Sequence, residues 1–452
     1  PGRRGFCCHG GLRFATGGQP ADGCRAKIFA CRAAIAALAA STLRAGVASV
    51  CFLVVRVCVH GGRHYNTFTQ ELPMSTPAAP SATNPNPDTL TYEQAGVNYD
   101  QVDPVKLLAQ QSARATAVQL AQHGVSEIAA SRGESAYVVD AGPFFLASIV
   151  ECLGTKILVA DAVYRETGKS FYGAIAQDTI AMAVNDLITV GATPLVVQAY
   201  WAAGGSDWFA DRQRASDLIA GWKAACDVCG VSWGGGETPA LAGVVEGDTI
   251  DLGASCTGIV QPKSRLSLGD TLAAGDAIVL LASSGIHANG VSLARKLAER
   301  LPRGYQTDVG DAQAFGEAIL APTVLYAPVT EALARAGVEV HYCVNVTGHG
   351  WRKLLRHPSA LTYRIHTVPP VPPVLAFMQR EAKLDNTEAY GTLNMGAGFA
   401  FFVRPDQAEQ TVAIAKACGV DAWVAGQVEA GPKQAIIEPI GVTYSADDLK
   451  LR

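Results

Sequence analysis

The stretch from Gln177 to Gly191 has helical periodicity and carries Asp178, Asn185 and Asp186 among Ile180, Val184, Leu187 and Ile188. Asp178 and Asn185 are seven residues apart. At ~100° per residue they stand about 20° apart around the axis, with Asp186 about 80° from Asp178. Short acids and an amide on an otherwise apolar helix form either a solvated face or the wall of a site. The absence of Lys and Glu from the stripe weakens the first reading. Oxygen ligands of this length suit Mg²⁺, which takes one or two carboxylates and completes its shell with substrate phosphates.

Four other places carry donors or acids. Gly234-Gly235-Gly236-Glu237-Thr238 follows a short apolar run. Its glycines let a ligand approach the main chain, and Glu237 could hold a metal or a substrate amine; an ordinary turn is the alternative. Ser283-Ser284-Gly285-Ile286-His287-Ala288-Asn289-Gly290 lies between a strand run and a helix. A loop that opens a helix presents free N–H groups to anions, so phosphate is the expected ligand. His287 could equally satisfy local backbone at a helix start. Asn345-Val346-Thr347-Gly348-His349-Gly350 makes a second loop of this kind, and Lys156, after Gly154-Thr155, could neutralise a phosphoryl oxygen. Neither GxxxxGK[ST] nor a GxGxxG after a strand occurs.

The elements that would position these groups alternate between strand and helix patterns. Before residue 262 the pattern predicts strands at 147–150, 194–200 and 249–260 and helices at 177–191 and 210–229, with 234–236 as a loop. After it come strands at 277–282, 338–345, 397–403 and 421–427, and helices at 289–301, 312–320, 373–382 and 406–418. Mixed strands and helices on both sides of 262 predict an α/β (α+β) protein of two domains, 91–262 and 263–452.

A net charge of −4 with 17% charged residues gives no case for nucleic acid. The charge is uneven. Residues 1–73 hold nine basic and two acidic residues and half of the 12 cysteines, and the first methionine is Met74. This segment reads as translated from upstream of the real start, with a transit peptide or a short anchor as alternatives. Arg56 interrupts its apolar run, so no membrane span is expected. Residues 74–90 are rich in Pro, Ser and Asn and read as a disordered leader. Cys226 and Cys229 form a CxxC with no second half, which favours buried helix cysteines over a zinc site. Reduced thiols fit a cytoplasmic enzyme.

In order along the chain, these pieces resemble the aminoimidazole ribonucleotide synthetase (phosphoribosylformylglycinamidine cyclo-ligase) family. The resemblance rests on Tyr92–Asp100, Gly154-Thr155-Lys156, Ala183-Val184-Asn185-Asp186 and Gly235-Gly236-Glu237-Thr238. It continues through Ser283–Gly290, Leu320-Ala321-Pro322-Thr323, Thr347-Gly348-His349-Gly350 and Leu393–Gly398. It spans about residues 91–440. It implies an N-terminal α/β domain whose sheet pairs across a homodimer, a C-terminal α/β domain, and ATP with Mg²⁺. The implied reaction phosphorylates the amide oxygen of formylglycinamidine ribonucleotide and closes the imidazole ring of aminoimidazole ribonucleotide.

Carried over by position, the resemblance implies catalytic roles for Lys156, Asp186 and His287. It implies nucleotide contacts from Gly154, Thr155, Lys156, Asn185, Ser284, Asn289, Thr347 and Gly348, and metal ligation by Glu151, Asp178, Asp186 and Glu237. Glu151 and Cys152 depart from the family's Asp and Gly, His349 stands at a usual Gly, and Pro239-Ala240-Leu241 follows the Gly-Gly-Glu-Thr run where Ala-Glu-Met, with a second acid, is usual. Another ATP-dependent kinase or synthetase of the same fold, or a non-catalytic paralogue, remains the alternative.

Overall fold

The computed structural model describes residues 90, 96, 99–310 and 312–449. The expected leader and upstream segment, and nearly all of the 92–100 signature, lie outside the described residues.

Period-two burial builds the first sheet. Strand β3 (Phe145–Cys152) alternates inward Ala147, Ile149 and Glu151 with outward Leu146, Ser148, Val150 and Cys152. Its neighbours are β1 (Ser126–Glu127), β2 (Tyr137–Asp140), β4 (Thr193–Ala203), β5 (Ser232–Glu237) and β6 (Ile250–Val260), in the order β1-β2-β3-β6-β4-β5. All pairs are antiparallel except β4 with β5.

One face of this sheet is covered by helices, and the other carries exposed Leu146, Val150, Leu195 and Tyr200. Ahead of the sheet lies α1 (Tyr99–Arg114), largely exposed. Helices α2 (Lys156–Thr167), α3 (Tyr172–Leu187) and α4 (Arg212–Cys229) follow. α3 is almost wholly buried, running on through a 3-10 turn to Gly191, whose φ of 80° stops it. Asp211 caps α4 by accepting from the N–H groups of Gln213 and Arg214.

The second sheet has seven strands. They are β7 (Ala277–Ala282), β8 (Val340–Asn345), β9 (Leu361–Ile365), β10 (Ala397–Val403), β11 (Ala422–Ala430), β12 (Gln434–Ile437) and β13 (Val442–Ser445). Their order is β13-β12-β9-β11-β7-β10-β8. Central β7 and β10 read as unbroken apolar runs because both faces are buried. Among the helices of this half, α5 (Val291–Arg300) starts from Gly290, and α6 (Phe315–Ile319) is much shorter than the 312–320 expectation.

The expected 234–236 loop is instead part of β5. A Cβ at Gly236 would lie 1.9 Å from the Ala199 carbonyl oxygen, so glycine lets this edge strand approach β4. The CxxC pair is buried as expected. Cys226 and Cys229 sit on the inner face of α4, and burial pushes their thiols up, Cys226 to about 11.

Candidate active site

The polar stripe of α3 meets the second half of the chain. Gln177 Nε2 donates to the Thr323 carbonyl at 2.8 Å, and Asn185 Nδ2 donates to the Val324 carbonyl at 2.8 Å. Asn185 Oδ1 accepts from the Tyr326 N–H at 3.1 Å. Asp178 Oδ1 accepts from both the N–H and the hydroxyl of Thr323, at 2.7 and 2.5 Å. Its other oxygen pairs with Lys156 Nζ at 2.7 Å, and that ammonium also donates to the Ala321 carbonyl at 2.9 Å. Lys156 and Asp178 are both fully buried. Burial lowers the Lys156 ammonium and raises the Asp178 carboxyl, and their direct contact and the Thr323 donors oppose both shifts.

A second group gathers further along the same seam. Asp186, one residue past Asn185, accepts from Asn345 Nδ2 at 2.7 Å. Glu151, at the end of β3, feels the charge of Asp186. Burial first, then that repulsion, pushes its carboxyl up to about 7. Across the seam is the 3-10 helix Gly350–Leu355, which brings buried Lys353. Burial and the nearby Arg356 bring its ammonium down to about 8, while Asp186 and Glu151 oppose the shift. His349 Nε2 lies 3.6 Å from Asp103 Oδ2 on α1. At a third point, the Thr155 and Ser292 hydroxyls lie 3.4 Å apart, joining the start of α2 to the first turn of α5. Asn289 reaches Met182 of α3 there.

The comparisons with known proteins agree with this architecture. Residues 133–260 match the family model "AIR synthase related protein, N-terminal domain", and residues 273–438 match its C-terminal counterpart. A phosphoribosylformylglycinamidine cyclo-ligase of Methanocaldococcus jannaschii is 32% identical over 346 residues, covering 75% of this chain and 92% of the relative. The protein of that name from an Anaeromyxobacter species is 32% identical over 361 residues, covering 78% of this chain and 99% of the relative. This chain belongs to the phosphoribosylformylglycinamidine cyclo-ligase family. Its fold is also that of a crystallised HypE-HypF complex, at 18% identity and a TM-score of 0.50 over 69% of this chain and 92% of that one.

Within this cyclo-ligase-family fold, the residues picked out from sequence fall into three sets. Glu151 lies within electrostatic reach of Asp186, which Asn345 holds from the second half of the chain. Gly154 and Thr155 meet the start of α5, beside Asn289. Lys156, Asp178, Asn185 and His287 are tied up inside the protein. The reading of Asp178 as a metal ligand is corrected, because both its oxygens are held by Lys156 and Thr323. Lys156 is enclosed and ion-paired, so it positions the seam and meets no open space for a phosphate. Glu237 sits on exposed β5, opposite Tyr200 on the outer side of the sheet, away from Glu151. Among the described residues, no three His, Cys, Asp or Glu side chains form a group that could hold a metal ion. Asp178 and Glu237 thus leave the expected set of four metal-ligating acids.

His287 is likewise an internal support. Its Nε2 accepts from the Ser284 N–H at 3.2 Å, and the ring packs so closely on β10 that a Cβ at Gly398 would lie 2.6 Å from it. Ser284 donates its hydroxyl to the Pro322 carbonyl at 2.6 Å. Burial, with the positive charge of Lys156, brings His287 down to about 3. Its folded value lies below its unfolded one, so its contribution to stability is complete above about 6.5 and is lost as pH falls toward about 3. Urea unfolding across that window is expected to show falling stability, and His287→Gln to flatten the slope. An unchanged slope would remove His287 as its source.

Sequence reasoning missed Gln177, Ser292 and Lys353. Gln177 begins the helical stretch, where its amide could have been added to the stripe. Lys353 had only a weak signal: it is one of three basic residues in Trp351-Arg352-Lys353-Leu354-Leu355-Arg356. Two cavities, of about 480 and 530 Å³, lie elsewhere. The first is ringed by Arg165, Glu246, Asp248 and Arg295, and the second by the 262–271 linker and Cys343.

Proposed function

We propose that the chain is an ATP-dependent ligase that closes the ring of formylglycinamidine ribonucleotide to give aminoimidazole ribonucleotide. Identity to named cyclo-ligases along nearly their whole length carries this reading. The reaction makes a poor leaving group, an amide oxygen, into a phosphate ester, after which the neighbouring ribosyl-bearing nitrogen attacks and phosphate departs. Such chemistry asks the protein mainly for positioning and charge neutralisation.

The seam offers both. The Gly154-Thr155 turn and the start of α5 bring backbone N–H groups and hydroxyls to one place, suited to nucleotide phosphates, with Asn289 beside them. Thr347 and Gly348 line the facing loop. Asp186 is the charged group we assign to the reacting end, held in place by Asn345. Lys156, Asp178, Asn185 and His287 fix the two walls relative to one another. Mg²⁺ would be held by Glu151 and Asp186 together with nucleotide phosphates, and it would neutralise charge on the transferred group.

We further propose a division into domains at residue 262, a cytoplasmic location and a homodimer built on the outer face of the first sheet. Exposed Leu146, Val150, Leu195 and Tyr200 on that face support the dimer. Among the described residues, no helix is long and apolar enough to cross a membrane. The decisive experiment is a coupled assay for ADP release with ATP, Mg²⁺ and formylglycinamidine ribonucleotide. Release that depends on that ribonucleotide is expected. Release with a different substrate, or none, would refute the assignment.

A further inference from the structure

The cavity of about 530 Å³ shares none of the residues assigned to the seam. Its walls come from the turn that ends α3, the 262–271 linker, strand β8 and helix α7 (Ala327–Arg335). Leu266, Val338, Val340 and Phe401 make much of the lining apolar. The charges on the walls are already answered. Arg265 pairs with Glu331 at 2.9 Å, Glu339 lies 3.2 Å from Arg404, and Asp270 is exposed to solvent. Two polar groups of the lining are not answered. Ser267 is 3% exposed, and its hydroxyl has no hydrogen-bond partner among the described residues. The Cys343 thiol beside it gives its own proton to the Thr189 carbonyl at 3.1 Å, which leaves the hydroxyl only a weak sulfur acceptor. Nδ1 of His341 lies 2.9 Å from Asp276 Oδ2. That carboxylate places the proton of the neutral ring on Nδ1 and leaves Nε2 as an acceptor.

We propose that this cavity is a second small-molecule site, which takes an uncharged heterocycle that accepts a hydrogen bond from Ser267 and donates one to His341 Nε2. Ligand pockets run from about 300 to 1,000 Å³ and are lined mostly by apolar groups, with a few polar ones that fix orientation. A buried hydroxyl without a partner is costly, and a ligand acceptor removes that cost. A charged ligand would give up its water and find no free opposite charge to meet it. A ring system carries donor and acceptor on its edge, lays its faces on the apolar wall, and has little internal freedom to lose.

The test is titration of the full chain with four probes, followed by ligand-observed NMR and thermal melting. Indazole and benzimidazole each carry one N–H and one ring nitrogen. Indene has the same shape without polar atoms, and benzoate is an anion. At least one of the two azoles is expected to bind with a Kd of about 1 mM or tighter and to raise the melting temperature. Indene should bind at least about tenfold more weakly, since it would seal in both polar groups unanswered. Benzoate should not bind. Ser267→Ala should weaken the azole about threefold to tenfold and leave indene unchanged. Ala334→Trp, which fills the cavity from α7, should abolish binding of both. If Ala334→Trp does not fold, Thr330→Phe on the same helix must block the site instead.

Failure of both azoles to bind would overturn the proposal. Equal affinity for indene, or stronger binding of benzoate, would overturn the chemistry assigned to the ligand. Binding that survives in a folded, cavity-filled variant would place the probe elsewhere and refute the site. The assay does not depend on turnover, so it stands apart from the ligase reading.

Discussion

Replacing Lys156 by Met is expected to unfold the protein or bring it close to unfolding, with a loss of about 3–5 kcal/mol. The change leaves Asp178 fully buried with no cation, while its other oxygen still serves Thr323. A double variant separates this cause from a lost phosphate contact. In Lys156→Met/Asp178→Asn the charge is gone from both partners, and the asparagine oxygen can still accept from the Thr323 N–H and hydroxyl. Most of the lost stability should return, as it does when a buried ion pair is replaced as a unit. Chemical denaturation of the two single variants and the double variant measures the coupling. If Lys156→Met were fully stable and only inactive, Lys156 would act on the substrate and would not be a positioning residue.

The second large effect is expected at Asp186. Asp186→Ala should lower kcat/KM by about 10²–10³, the range for losing one preorganised electrostatic group. Its structural cost should be modest, about 1–3 kcal/mol, because it strands a single amide donor, Asn345 Nδ2. Asp186→Asn should keep the fold but not the rate, since the contact to Asn345 survives and the charge does not. ADP release with formylglycinamidine ribonucleotide, run beside a urea melt, checks both. Near-normal turnover in either variant would take Asp186 out of the reaction.

The contrast between these two residues explains what could be read from the sequence. Helical spacing put Asp178, Asn185 and Asp186 on neighbouring faces of one helix, and the order of glycine-rich segments pointed to the family and the two-sheet class. Spacing has no information about the opposite side of a helix face. Asp178 meets a backbone N–H and a lysine, whereas Asp186 meets an amide and a charged seam. The side chains differ only in which segment the fold brings up to them, and 321–326 and 345–353 are far away in sequence.

Glu237 failed for a related reason. Three glycines before an acid are compatible with either a ligand-binding turn or a tightly paired edge strand, and only the neighbour, Ala199, decides between them. Lys353 was invisible because a lysine between Arg352 and Arg356 reads as solvated charge that snorkels to water. Its confinement depends on burial by elements remote in the chain.

The contacts of α3 also bear on how the protein is made. Gln177, Asn185 and Asp186 find their partners in residues 323–326 and 345, which are synthesised more than a hundred residues later. On the ribosome the N-terminal sheet can therefore form while one of its own helices still holds unanswered polar groups. Residue 262 marks a change of sheet, but it is no point of independence: the nascent first half has to wait for the second before its most buried helix is complete.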